Sequence, residues 1–178
     1  MSVEAVRYSV STVQSLYYFF NNTSYISSGS NFYTNTTLKT RHSGLDIMLG
    51  EPHSLDRLSL PTLSIIQDPS PVEKDTFGSH YQERTISFHI DGYAGGNQSE
   101  EKNKLQRDLI REDVRYLLND TDYIDLYAVD TDGKIDTSTT ISNIEVINVN
   151  DTNLPATGPL AVDRFRFRIN FDVNIVRD

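Results

Sequence analysis

From Asp163 to Val176 apolar and polar side chains alternate without a break. Phe165, Phe167, Ile169, Phe171, Val173 and Ile175 take every second position, and Arg164, Arg166, Arg168, Asn170, Asp172 and Asn174 fill the gaps. Successive side chains leave a strand on opposite faces, so one face here is apolar and the other polar. At about 3.3 Å per residue the strand would run roughly 40 Å, so it must lie within a sheet. Its Phe/Ile face then needs helices to cover it.

The same patterns predict the remaining elements. Ser2 to Phe20 has helical spacing, with Val3, Val6, Val10, Val13, Tyr17 and Phe20 on one face. Residues 22–57 are rich in Ser, Thr and Asn and carry scattered aromatics, Tyr25, Phe32 and Tyr33. This composition predicts a long loop or extended arm whose rings pack on the chain's own core or on a neighbouring subunit. Leu60 to Gln67 and Glu83 to Tyr93 are expected strands. Turn residues at Asp68–Pro71 follow the first, and Asp91-Gly92 and Gly95-Gly96-Asn97 break the second. Ser99 to Leu118 is the strongest helix signal: a Ser N-cap, Glu100 and Glu101 in the first turn, and a stripe of Leu105, Leu109, Ile110, Val114, Leu117 and Leu118. Tyr123 to Val129 and Thr140 to Val149 form a hairpin through Asp130–Lys134, and a loop over residues 150–161 leads into the last strand. The sum is one α+β domain over residues 1–178. Its expected core is a mixed, mostly antiparallel sheet of four or five strands with two helices on one face, plus the arm.

Composition narrows the function. The 178 residues carry a net charge of -9 and a pI near 4.8, which disfavours a grip on nucleic acid phosphates. The chain has no cysteine, which removes disulfides, thiolate metal sites and a cysteine nucleophile. No apolar run is long enough to span a membrane and no leader pattern opens the chain, so a soluble product made in the cytoplasm is expected.

Candidate chemistry is sparse. Asp130, Asp132, Gly133, Ile135 and Asp136 resemble part of a calcium loop, but its ends fall on Ala128 and Thr139, so the closing bidentate carboxylate is missing. His42, His53, His80 and His89 are not at zinc-ligand spacing, and His89 is expected to be solvated or locally hydrogen-bonded. Gly92-Tyr-Ala-Gly-Gly lacks both the Lys-Ser/Thr of a P-loop and dinucleotide spacing, and is expected to be a flexible connection. Glu100–Glu101 and Glu112–Asp113 are adjacent on a helix and diverge. No catalytic residue, cofactor or metal ligand is assigned. Arg164, Arg166 and Arg168 repel one another unless opposed. They either pair across strands with Asp125 or Glu145, or form a contact surface for an acidic partner subunit.

From Leu60 onward the order LPTLSIIQ, RTISFHIDGYA, EEKNKLQRDLIREDVRYLL, YIDLYAV, TTISNIEVINV and RFRFRINFDVNIV, after an N-terminal amphipathic helix, resembles the tail terminator (tail-completion, neck) proteins of long-tailed bacteriophages. The likeness covers about two-thirds of the chain, and the long arm departs from it. It implies a non-enzymatic virion protein forming a hexameric ring on the head-proximal end of the tail tube. Such a ring would bind tube protein, the head connector or stopper and, in contractile tails, sheath protein. DNA would pass through the lumen unbound. Arg164, Arg166, Arg168, Tyr25, Phe32 and Tyr33 are the candidate subunit-interface residues. A tube or baseplate subunit, and a small hydrolase or nucleotide-binding enzyme using Gly92–Gly96 and His89, are the alternatives.

Overall fold

A computed structural model describes residues 8–28, 33–52, 59–69, 84–96, 99–155 and 164–176. In chain order the elements are α1 (Tyr8–Asn22), β1 (Tyr25–Ser28), β2 (Tyr33–Thr36), α2 (Leu38–Arg41), β3 (Asp46–Leu49) and β4 (Thr62–Gln67). They continue with β5 (Arg84–Gly95), α3 (Glu100–Asp120), β6 (Ile124–Val129), β7 (Ile135–Leu154) and β8 (Arg164–Val176). The class is α+β. β8 lies inside a six-stranded sheet of order β3-β4-β5-β8-β7-β6, and β1-β2 form a separate antiparallel pair. Only β3 and β4 are parallel in the large sheet.

The alternation in β8 maps directly onto burial: Phe165, Phe167, Ile169, Phe171, Val173 and Ile175 are all buried. All but Phe165 join Ile86, Phe88 and Ile90 of β5, Leu63 and Ile65 of β4, and side chains from the three helices in one core. Burying each such side chain stabilises the fold by about 1.5–3 kcal/mol before entropy is counted.

The sheet has six strands where four or five were expected. The additional strand, β3, comes from the expected arm. Leu38, Leu45 and Ile47 of that segment are buried in the chain's own core, so this part of 22–57 folds back in cis. Four residues of β3 carry too little periodicity to announce a strand; hydrogen bonding along β4 makes them one.

Most of each expected helix stripe is buried: Ile110, Val114, Leu117 and Leu118 of α3 and Phe20 of α1 lie in the core, with Val13 and Tyr17 packed against it, but both faces are rotated at their first turns. On α1, Ser11, Thr12, Ser15, Leu16, Phe19 and Phe20 are buried, whereas Val10 is 40% exposed; Val3 and Val6 lie outside the described residues. Small hydroxyl residues let the helix approach the edge strand β6, where Ser15 Oγ accepts the Tyr127 N–H at 3.0 Å. On α3, Leu105 and Leu109 are 58% and 38% exposed, and Asn103 is buried instead. Lys104 and Arg107 sit over the Phe165 ring at 5.6 and 5.7 Å and cover it with their stems, which turns Leu105 outward. The Ser99 cap forms as expected, its Oγ accepting Lys102 N–H.

Two strands are longer than the turn signals allow. β5 continues through Asp91-Gly92 to Gly95, because Gly92 lies under the Phe167 ring of β8 and a Cβ there would collide with it. The expected flexible connection is therefore mostly strand. β7 runs to Leu154, into the expected loop over residues 150–161, with a bulge between Ile147 and Asn150 where Asn148 takes φ 56°.

Candidate functional site

The polar face of β5 and β8 is closed by its own side chains. Asp91 is 3% exposed and receives both ends of the Arg168 guanidinium, Nε on Oδ1 at 2.6 Å and Nη2 on Oδ2 at 2.8 Å. Arg166 reaches the same carboxylate at 3.5 Å while lying 5.1 Å from the centroid of the Tyr93 ring. This fork satisfies the carboxylate, and its hydrogen bonds raise the Arg168 group above its already high ordinary pKa. Further along, Ser87 donates to Asp172 and Thr85 to Asn174, each at 2.6 Å, and Asn148 donates to the other Asp172 oxygen. The expected cross-strand pairing is present, with Asp91 rather than Asp125 or Glu145 as the acid that Arg166 and Arg168 meet. The partner is Asp91, which the pairing of β5 with β8 places directly opposite Arg168.

His89 is 8% exposed and takes the locally hydrogen-bonded of its two expected roles, its Nδ1 lying 2.6 Å from Asp68 Oδ1. Its Nε2 is buried and has no hydrogen-bond partner among the described residues. A His–Asp pair becomes a general base only with a nucleophile on the other nitrogen, and no described hydroxyl is bonded there.

A second closed cluster pins the arm to α3. Asp113 Oδ2 lies 2.7 Å from His42 Nε2 and accepts the Tyr25 hydroxyl at 2.8 Å. Tyr25, an interface candidate, is thus 6% exposed and bonded within its own chain. Tyr33 lies in β2, where its backbone pairs with Ser28; Phe32 is outside the described residues. Arg164 begins β8, pairs with Gly95 across the ladder and is partly buried. The structure therefore does not bring the described candidates together on one surface.

Burial first, then the Asp113 hydrogen bond, raises the Tyr25 phenol far above its ordinary 10.0. Above pH 10 the unfolded chain releases this proton while the folded chain keeps it, so stability falls as pH rises through that range. Urea midpoints at about pH 8 and about pH 11 are expected to differ less in Tyr25→Phe than in the native chain. An equal difference in the two would contradict this role for Tyr25.

Two regions stand open instead. One is the β6–β7 hairpin. β7 pairs with β8 only from Asn143, opposite Val176; before that Ile135, Asp136, Thr140 and Ser142 pair with β6, with a break in register between Asp136 and Thr140. Residues 136–141 are all exposed, and only Asp136 among them is charged. In sequence this strand is expected from Thr140, which places Thr140–Ser142 in it and leaves residues 135–139 unassigned. The other is a pair of adjoining clefts where α1 and α3 end beside β6. They are lined by Tyr18, Tyr123, Tyr127 and Asp125 on one side of Thr23 and Thr121, and by Tyr25, Tyr116 and Asp120 on the other.

At Asp130–Lys134 the acidic loop is a turn. Asp130 Oδ1 accepts the N–H groups of Asp132 and Lys134, and Gly133 takes φ 79°. Among the described residues no three His, Asp or Glu side chains gather as a metal site, and no helix is long and apolar enough to cross a membrane.

No protein-family model matches the chain, and no curated protein does. One solved structure shows a weak likeness. It is 10% identical, with 76% of this chain and 80% of that chain covered and a TM-score of 0.41.

Proposed function

We propose that this chain is a structural assembly subunit, a tail terminator ring protein of a long-tailed bacteriophage virion. In this reading it caps the head-proximal end of the tail tube, joins it to the head connector and performs no catalysis. The observation that carries the assembly reading is the β7 edge over Ile135–Ser142. An exposed, β-branched strand edge with one charge is a template for another strand; the break in register between Asp136 and Thr140 concentrates that template on Thr140–Ser142. The choice of a terminator among assembly proteins rests on the order of elements from Leu60 onward. The acidic balance agrees with DNA sliding past without adhering.

The same edge would serve a tube or baseplate subunit, and the two readings differ in closure. A terminator stops at one ring, whereas a tube subunit adds rings without limit. Mass photometry and negative-stain imaging of the purified protein are expected to show closed six-membered rings. Thr139→Lys/Ile141→Lys, which places charge along the β7 edge, should shift rings to monomers with at least tenfold weaker association and an unchanged melting temperature. A native chain that stays monomeric at high concentration would overturn the assembly reading, and open-ended fibres would favour the tube subunit.

A further inference from the structure

We infer that the paired clefts between the ends of α1 and α3 bind cationic side chains, lysine or arginine, carried by an extended basic segment of a protein partner. This goes beyond the ring reading and does not rest on it.

The first cleft has a volume of about 250 Å³ and the second about 220 Å³, with Thr23 and Thr121 shared between them. In the first, the Tyr18 and Tyr127 rings meet edge to face, with centroids 5.5 Å apart and planes at 79°, so two walls stand nearly at right angles. Tyr123 lies on the same cleft and is 58% exposed, an unusual place for a large aromatic ring with no core to serve. Asp125 is exposed and uses Oδ2 to accept the Tyr127 hydroxyl at 3.3 Å, leaving Oδ1 without a hydrogen-bond partner among the described residues. The second cleft has a related composition. Its Tyr116 ring is 44% exposed and lies 6.4 Å from the buried Tyr25 ring, and Asp120 lines the same cleft. Ring faces attract cations, and a carboxylate alongside supplies the full countercharge.

The backbone adds an independent argument. Thr23 directly follows α1 and Thr121 is the C-cap of α3, so both helices direct their partial negative ends at the wall between the clefts. Helix C-termini are usually complemented by Lys, Arg or His in the last turn, yet neither helix carries a basic residue there. Among the described residues no Lys or Arg lines either cleft. Two helix ends, two carboxylates and five tyrosines therefore share one surface whose described lining carries no positive charge. A primary ammonium or guanidinium fits that surface, whereas a nucleic acid would be repelled. The two clefts share a wall, so side chains two to four residues apart on an extended peptide could enter both.

Five of the chain's ten tyrosines line these clefts and there is no tryptophan, so a change at the clefts alters part of the intrinsic tyrosine emission. The probe is the peptide acetyl-Lys-Gly-Gly-Lys-amide, with acetyl-Nle-Gly-Gly-Nle-amide as its neutral counterpart, titrated in physiological salt. Saturable quenching by the lysine peptide is expected, weakened roughly tenfold in Tyr123→Ser and in Asp125→Asn. Both residues are exposed, so the melting temperature of each variant should match the native chain. Equal affinity for the norleucine peptide would overturn the inference by showing a merely apolar groove. So would binding insensitive to Tyr123→Ser, which reports diffuse attraction to an acidic surface. The absence of saturable binding would overturn it outright. The ring-assembly measurements are unaffected by any of these outcomes.

Discussion

Gly92→Ala is expected to destabilise the folded chain by about 3 kcal/mol, although alanine normally improves a strand that holds glycine. Two effects oppose each other. Replacing glycine reduces the entropy of the unfolded chain and contributes about 0.4–1 kcal/mol in favour of folding. Against it, the new Cβ would lie within the space of the Phe167 ring, which is 1% exposed and fixed in the core. Overpacking a core of this density costs about 1–3 kcal/mol and more where backbone must move, so the steric effect wins. Gly92 lies on a central strand between β4 and β8, and that backbone has little room to yield. A double-mutant cycle isolates the cause. Phe167→Ala alone should cost about 3–5 kcal/mol through its cavity. Added to that variant, Gly92→Ala should cost almost nothing further, because the ring its methyl group would meet is gone. Strict additivity in urea denaturation would show that the strain lies elsewhere.

The second large effect is expected at Asp91. Asp91→Ala should cost about 3–5 kcal/mol, the range for breaking a buried ion pair from one side. Its side chain is 4% exposed, and without it the Arg166 and Arg168 guanidinium groups, 17% and 35% exposed, are left side by side with no countercharge from β5. Arg168 can regain some water, which holds the cost toward the lower end. Arg168→Ala should exceed Arg166→Ala, since only Arg168 engages both oxygens at hydrogen-bond distance. Arg168→Lys should recover little, because an ammonium cannot reproduce the planar fork. Comparable urea midpoints for Arg168→Lys and the native chain would contradict this account. Association through the arginine row, if it occurred, would have to compete with Asp91 for these groups.

What sequence could show about the candidate sites follows the same division. The tyrosines and aspartates of the paired clefts come from α1, the region around β1, α3 and β6, and no local spacing connects them. The one signal available was the absence of a basic residue at the end of either long helix, a pattern that gains meaning only once both ends are known to meet. The β7 edge was hidden only in part. Thr140–Ser142 were legible as the start of a strand, whereas residues 135–139 lack apolar alternation, and only the pairing of Ile135 and Asp136 with Val129 and Ala128 carries the strand back to them. The arginine row was plain in sequence, but its partner lies 77 residues before Arg168.

The chain's own order of side chains determined the α+β class, the long two-faced final strand, the capped third helix and the Asp-Gly turn after β6. Each of these is set by contacts within a few residues: pleat alternation, a side chain capping its own helix, an Asp oxygen bonding nearby N–H groups. Tertiary structure alone decided that Leu105, Leu109 and Val10 drop out of the buried helix faces, that β3 joins the sheet, that β5 passes through Gly92, and that Asp91 neutralises Arg166 and Arg168. Those outcomes depend on partners distant in sequence. Periodicity shows that a segment has two faces, while the element packed against it selects the face that is buried.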